Sequence, residues 1–298
     1  MNKEEIASWF QELQDSICKN VEKLDGDKEF KEDRWERPGG GGGRSRVIAE
    51  GNVIEKGGVN FSAVFGASPE KILKKLNLPK ADFYATGISI VLHPQNPYVP
   101  IIHMNLRYFE MTNGIYWFGG GIDVTPHYFN PENAKYFHQY LQQTCTRHHH
   151  DYYDKYKKWA DDYFYIKHRQ ETRGIGGIFF DQLKENEKLS KEEVFAFVKD
   201  IGLAFYPIYQ ELVNSNKDKK YGENELKWQA LRRGRYVEFN LVWDRGTKFG
   251  LDTNGRTESI LMSLPPMANW VYNHQPREGS SEHEMQQWLK KDINWLKI

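Results

Sequence analysis

The chain predicts an α+β fold: one large, mainly antiparallel β-sheet with α-helices on both faces, in a single domain spanning 1–298. Three observations carry this. A long amphipathic helix opens the chain, segments of alternating apolar residues succeed one another between about 47 and 125, and most later segments return to helical spacing. Strands that follow one another without intervening helices pair antiparallel and do not form a βαβ array. No linker and no internal repeat divides the sequence.

The opening helix covers 3–24, where Ile6, Phe10, Leu13, Ile17, Val21 and Leu24 form one apolar stripe and Asn2 with Glu5 resembles a capping box. Pro38 and the glycines Gly39 to Gly43 make residues 38–46 a loop too flexible for regular structure. A mobile lid or a tight backbone approach is favoured there over an anion cradle, because the Lys-Ser/Thr ending of a P-loop is missing. Val47 to Phe65 reads as a hairpin turning at Gly51-Asn52. Strands follow at Thr86–His93, Val99–Phe109 and Ile115–Phe118, the last running into Gly119-Gly120-Gly121-Ile122-Asp123. Asn130-Pro131 caps a helix through the 140s, and a second helix runs over about 151–170. Gly174 to Asp181 returns as a strand, 190–214 and 223–232 are helical, and Arg235 to Trp243 reads as a strand. Helices close the chain at about 257–263 and 281–295.

Composition excludes several function classes. Forty-one basic residues balance 41 acidic ones, with no basic stripe for a nucleic acid. No apolar run approaches the roughly 20 residues of a membrane span. The first five residues fit neither a signal nor a transit peptide, and two cysteines, Cys18 and Cys145, suit a reducing compartment. A soluble, cytoplasmic protein is expected. Gly174-Ile175-Gly176-Gly177 lacks the third glycine of a dinucleotide fingerprint, so neither NAD nor ATP is read.

Function is best signalled by Val99 to Phe109. Successive side chains of a strand alternate, so His103, Asn105 and Arg107 share one face while Ile102, Met104, Leu106 and Tyr108 share the core face. A proton-exchanging imidazole, a neutral amide and a guanidinium on one face suit chemistry on a small anionic molecule. If the strand ending at His93 pairs with this one, Ser89 and His93 join that face. Asp123, set behind three glycines, is either a turn cap or a carboxylate presented into a cavity. Arg232, Arg233, Arg235 and Arg256 are further candidate carboxylate clamps beside ordinary ion pairing. His93, His103, His138 and His168 show no zincin spacing, and His148-His149-His150 reads as a solvated run.

These segments together resemble oxygen-dependent coproporphyrinogen III oxidase. The resemblance is carried by Gly39–Arg46, Gly57-Gly58-Val59-Asn60-Phe61-Ser62, His93 to Pro100, His103-Met104-Asn105-Leu106-Arg107, and Trp117 to Pro126. Lys157-Lys158-Trp159, Asp161–Arg169, Arg173-Gly174-Ile175-Gly176-Gly177 and Arg232 to Pro266 extend it, in order, over most of 33–277. It implies oxidative decarboxylation of two propionates of coproporphyrinogen III to vinyl groups. Oxygen is the co-substrate, and no cofactor is required. By resemblance His103 is the proton donor, and Asp123 binds pyrrole N–H groups and acts as a possible base. Ser89, Asn105, Arg107, Asn254, Gly255 and Arg256 fall at substrate-binding positions. Some bacterial relatives are described with a divalent metal, which maps to His93, His103, His138 and His168; other members are metal-free. The family also implies a homodimer joined through about 236–270. A non-enzymatic binder of an anionic tetrapyrrole is the alternative of another class.

Overall fold

A seven-stranded antiparallel sheet, seen in a computed structural model that describes residues 1–68, 73, 79–252 and 255–298, organises the chain. Helix α1 (Lys3–Asp25) starts at Asn2 with the reciprocal Asn2–Glu5 capping bonds. Strands β1 (Lys31–Glu36), β2 (Gly41–Ala49), β3 (Ile54–Ala67), β4 (Asp82–Pro94), β5 (Ile101–Met111) and β6 (Tyr116–Thr125) lie side by side in chain order. Helices α2 (Pro131–Thr146) and α3 (Tyr152–Tyr163) and a two-stranded ribbon, β7 (Tyr165–Ile166) with β8 (Glu171–Thr172), precede β9 (Gly177–Leu183), which pairs with β6 at the sheet's far edge. Then come α4 (Lys191–Asn214), α5 (Glu223–Glu238), a π-helical turn (Phe239–Trp243), α6 (Arg245–Asp252), α7 (Thr257–Leu261) and α8 (Ser281–Trp288).

The alternation expected of β5 holds: Ile102, Met104, Leu106 and Tyr108 are fully buried. They share the main core with Ile88, Ile90, Leu92 and Ile122, against Ile6, Phe10 and Leu13 of α1 and Ile201 and Phe205 of α4. Polar groups lock α1 to the sheet. The buried Gln14 amide donates to the carbonyls of Arg44 and Val59, and its oxygen accepts from Arg44 Nε. Helix α3 covers the edge strand β9, stacking Tyr163 on Phe179 on one side and setting Tyr156 beside Phe180 on the other. A sheet edge needs such a cover. Among the described residues no helix is long and apolar enough to cross a membrane.

Several expectations are corrected. The stretch 235–243 is helical, not extended. The buried set Arg232, Arg233, Tyr236, Phe239 and Asn240 follows three-and-four spacing, which places one helical face against the sheet. The glycine-rich segment is a loop only as far as Gly40 and then becomes β2. A Cβ at Gly41 would stand 2.2 Å from the Ala63 carbonyl oxygen, and one at Gly43 would stand 2.3 Å from the Trp35 ring. The tight-approach reading therefore describes Gly41–Gly43. The β2–β3 turn spans residues 50–53, with Glu50 at φ 58°. It is held by Asp25, whose carboxylate accepts from the amides of Asn52, Val53 and Ile54. The second aromatic helix stops at Tyr163, the last at Trp288, and the strand expected from Gly174 begins at Gly177.

Two fully buried histidines link the fold to pH. Burial holds the His93 and His138 imidazoles down to about 3, with Arg233 adding to the effect at His93. Both rings are therefore neutral when folded and take up protons on unfolding below about pH 6.5. Stability is complete above that pH and falls as pH drops toward 3. At pH 5 each ring costs about 2 kcal/mol, from 1.36 kcal/mol per pKa unit. Denaturant titrations at pH 7 and pH 5 should show this loss, and His138→Gln should lose part of it. Equal slopes for the two proteins would contradict it.

Candidate active site

Residues paired across antiparallel strands share a face, so the register draws the site directly. On the face turned away from α1, one row runs through Gly58, Val91, His103, Asp123 and Gly177. The next runs through Asp33, Ser45, Asn60, Ser89, Asn105 and Gly121. A third runs through Ser62, Gly87, Arg107 and Gly119. At about 3.3 Å per residue, His103 and Arg107 stand roughly 13 Å apart along one strand. Gly87 and Gly121 add no side chain to the floor between the polar groups, and the place above Gly119 is taken by Arg107 and Asp181.

Asp123 is the hub of this face. It is 2 % exposed, with Oδ1 2.7 Å from His103 Nδ1 and Oδ2 2.7 Å from Arg173 Nη2. Burial alone would raise its carboxyl. The Arg173 guanidinium and the His103 contact outweigh burial and hold it below the usual carboxylate range. An ionised carboxylate only accepts, so His103 Nδ1 carries a proton toward it. That fixes the tautomer and leaves Nε2 as the exchangeable nitrogen of a half-buried ring. Arg173, 3 % exposed, is packed against Phe164, Tyr236 and Phe239 with its Cζ 4.5, 4.6 and 4.7 Å from the ring centroids. Its Nη1 donates to Asn240 Oδ1, so the π-helical turn also converges here.

Arg107 donates to Asn105 Oδ1 at 3.1 Å and pairs with Asp181 at 2.9 Å. Ser89 lies between Asn60 and Asn105 in the middle row. Arg256 bonds Asp33 and Ser259 at the β1 side of the sheet, and the Gly255 amide donates to the Gly250 carbonyl. Asn254 lies outside the described residues. The segment around α7 roofs the β2–β4 part of the face. Ser259 meets Ser45 and Asn60, Leu264 accepts from Lys56, and Met262 rests where a Cβ of Gly58 would be.

Other candidates are committed elsewhere. Arg232 pairs with Glu171, Arg233 with Glu55, and Arg235 with Glu238. These are internal ion pairs and not free clamps. The four histidines mapped to a metal are not gathered. His93 Nε2 meets the Ser263 carbonyl, His138 lies between Tyr153 and the Ile175 carbonyl, and His168 is held by Glu238 and Trp243. Only His103 of the four opens on the site, so within one chain these residues do not fit a shared ion. Among the described residues the one metal-like group is the surface trio His149, His150 and Asp151.

Sequence reasoning singled out neither Arg173 nor Asp181 as a site residue. Both carry a local signal: Arg173 immediately precedes an apolar glycine-rich turn, and Asp181 is the only charge in the strand Gly177–Leu183.

The family profile described as "Coproporphyrinogen III oxidase" matches residues 5–295. The oxygen-dependent coproporphyrinogen-III oxidase of Parasynechococcus marenigrum (strain WH8102) is 48 % identical over 308 residues, covering 95 % of this chain and 85 % of that protein. The chain belongs to the coproporphyrinogen III oxidase family.

Proposed function

We propose that the protein is an oxygen-dependent coproporphyrinogen III oxidase of haem biosynthesis. It converts two propionates of coproporphyrinogen III to vinyl groups and yields protoporphyrinogen IX. For each side chain, propionate, O2 and one proton become vinyl, CO2 and H2O2. Two electrons pass from the substrate to oxygen as the C–H bond and the C–CO2 bond break. The pyrroles are electron-rich, so the substrate is its own reductant and a flavin is unnecessary. The observation that most supports this reading is the convergence of His103, Asn105 and Arg107 on one glycine-floored face, with ionised Asp123 behind the imidazole.

In this reading Arg107 and Arg256 receive carboxylates, Ser89, Asn105 and the 254–256 backbone position the ring, and His103 Nε2 delivers the proton. Asp123 acts first by orienting His103. A pyrrole N–H is the further donor that its carboxylate would accept. His93, His138 and His168 are turned to other partners, so with His103 they do not form one set of metal ligands. Two chains associate through the exposed apolar surface of Leu241, Val242, Phe249, Met267, Trp270 and Tyr272, within or beside the 236–270 segment. Buried, unpaired Cys18 and Cys145 fit a cytoplasmic location.

Oxygen uptake with coproporphyrinogen in air should exceed an anaerobic control and survive chelation. A pure binder would consume nothing, and inhibition by chelator would mean the histidines regroup around an ion. Asp123→Asn should abolish turnover and lower stability by about 3–5 kcal/mol, since Arg173 is left as an uncompensated buried charge. A variant with normal kcat and unchanged unfolding midpoint would remove Asp123 from this role. In sedimentation, Met267→Glu combined with Tyr272→Glu should shift the protein from dimer to monomer. An unchanged sedimentation coefficient would place the interface elsewhere.

A further inference from the structure

Strand β9 carries a bulge opposite Gly119, beside the Arg107 end of the site. Phe118 pairs with Leu183 and Gly120 with Phe180, so two residues of β9, Asp181 and Gln182, stand opposite the single residue Gly119. Gln182 holds φ 51°, a left-handed conformation that a non-glycine residue rarely adopts. Its amide donates to Asp181 Oδ1 at 2.9 Å. Asp181 follows Gly177 and Phe179 on the site face by alternation, just before the bulge's extra residue, and its Oδ1 lies 2.9 Å from Arg107 Nη2. Gly119 makes the space. A Cβ there would stand 2.7 Å from Asp181 Oδ1 and 2.8 Å from Arg107 Nε. A glycine, a strained bulge residue and Asp181 thus meet at one half-exposed ion pair, with side chains 37 % and 33 % exposed.

We infer that Asp181 is a positioning residue, a built-in carboxylate that occupies the Arg107 guanidinium until a substrate carboxylate displaces it. This rests on the reading that Arg107 receives a carboxylate of the tetrapyrrole. Arg107 is already oriented by Asn105 Oδ1 at 3.1 Å, so exchange of one carboxylate for another leaves its geometry intact. Without Asp181 the guanidinium would face the empty site with no carboxylate partner. With Asp181 it is neutralised between turnovers, and the side chain returns to it when an anionic ligand leaves. The same residue competes with the substrate and so sets the affinity of the site for carboxylates.

Asp181→Asn preserves size and removes the charge. Titrated with coproporphyrin III, the aromatic tetracarboxylate relative of the substrate, its Kd should fall about two- to fivefold below wild type, the range a half-exposed ion pair is worth. The KM for coproporphyrinogen should fall in step without a rise in kcat, and Asp181→Glu should restore the wild-type Kd. Loss of a merely structural residue would weaken binding instead. Equal or weaker binding by Asp181→Asn, or by Asp181→Ala should the first variant not fold, overturns this inference alone, provided that the wild type consumes oxygen with coproporphyrinogen. A wild type without turnover overturns the reading beneath it.

Discussion

The ion pair between Asp123 and Arg173 is the constraint on which the site depends. Both side chains are almost wholly withdrawn from water, where an unpaired charge would be costly. Neither can therefore be moved alone. The pair ties β6 to the segment after β8. Through Asn240 and the rings of Tyr236 and Phe239 it also ties both to the end of α5 and the π-helical turn. A buried pair of this kind is weak evidence for stability, because desolvation offsets much of the attraction. Its effect is on position and charge. It keeps Asp123 ionised, and an ionised Asp123 dictates which nitrogen of His103 carries the fixed proton.

The second constraint is the absence of side chains. A sheet face is normally filled by what packs on it, yet here glycines stand at positions where a Cβ has no room. Met262 occupies the place above Gly58, and the Arg107–Asp181 pair occupies the place above Gly119. The floor beside Ser89 and Asn105 is bare at Gly87 and Gly121. Because the sheet's other face is a continuous apolar core against α1 and α4, the floor is rigid while its upper side stays polar and open. A flat, many-armed anion suits such a surface.

Much of this was legible before any coordinates. The alternation of β5 placed His103, Asn105 and Arg107 together, and the expected pairing brought Ser89 onto their face. The first helix was readable to within a residue, because capping and apolar stripe agree. Two elements misled for physical reasons. Arg235 to Trp243 alternates well enough to resemble a strand, and packing of its helical face on Val91 and Ile101 decided otherwise. The glycine run looked unstructured because glycine lacks a strand preference of its own, whereas close approach to neighbouring strands demanded it.

Local periodicity determined which side of each strand faces the core, and thereby which polar groups could meet a substrate, since alternation in an extended chain depends only on neighbouring residues. It could not say which partner each of those groups would take. Asp123 and Arg173 are 50 positions apart, and Arg107 and Asp181 meet only because β9 pairs with β6 at the sheet's edge. Charge pairing between distant segments is settled by which surfaces pack and exclude water. The order of the sheet, the cover over β9 and the roof from α5 to α7 decided that, and no short-range pattern encodes it.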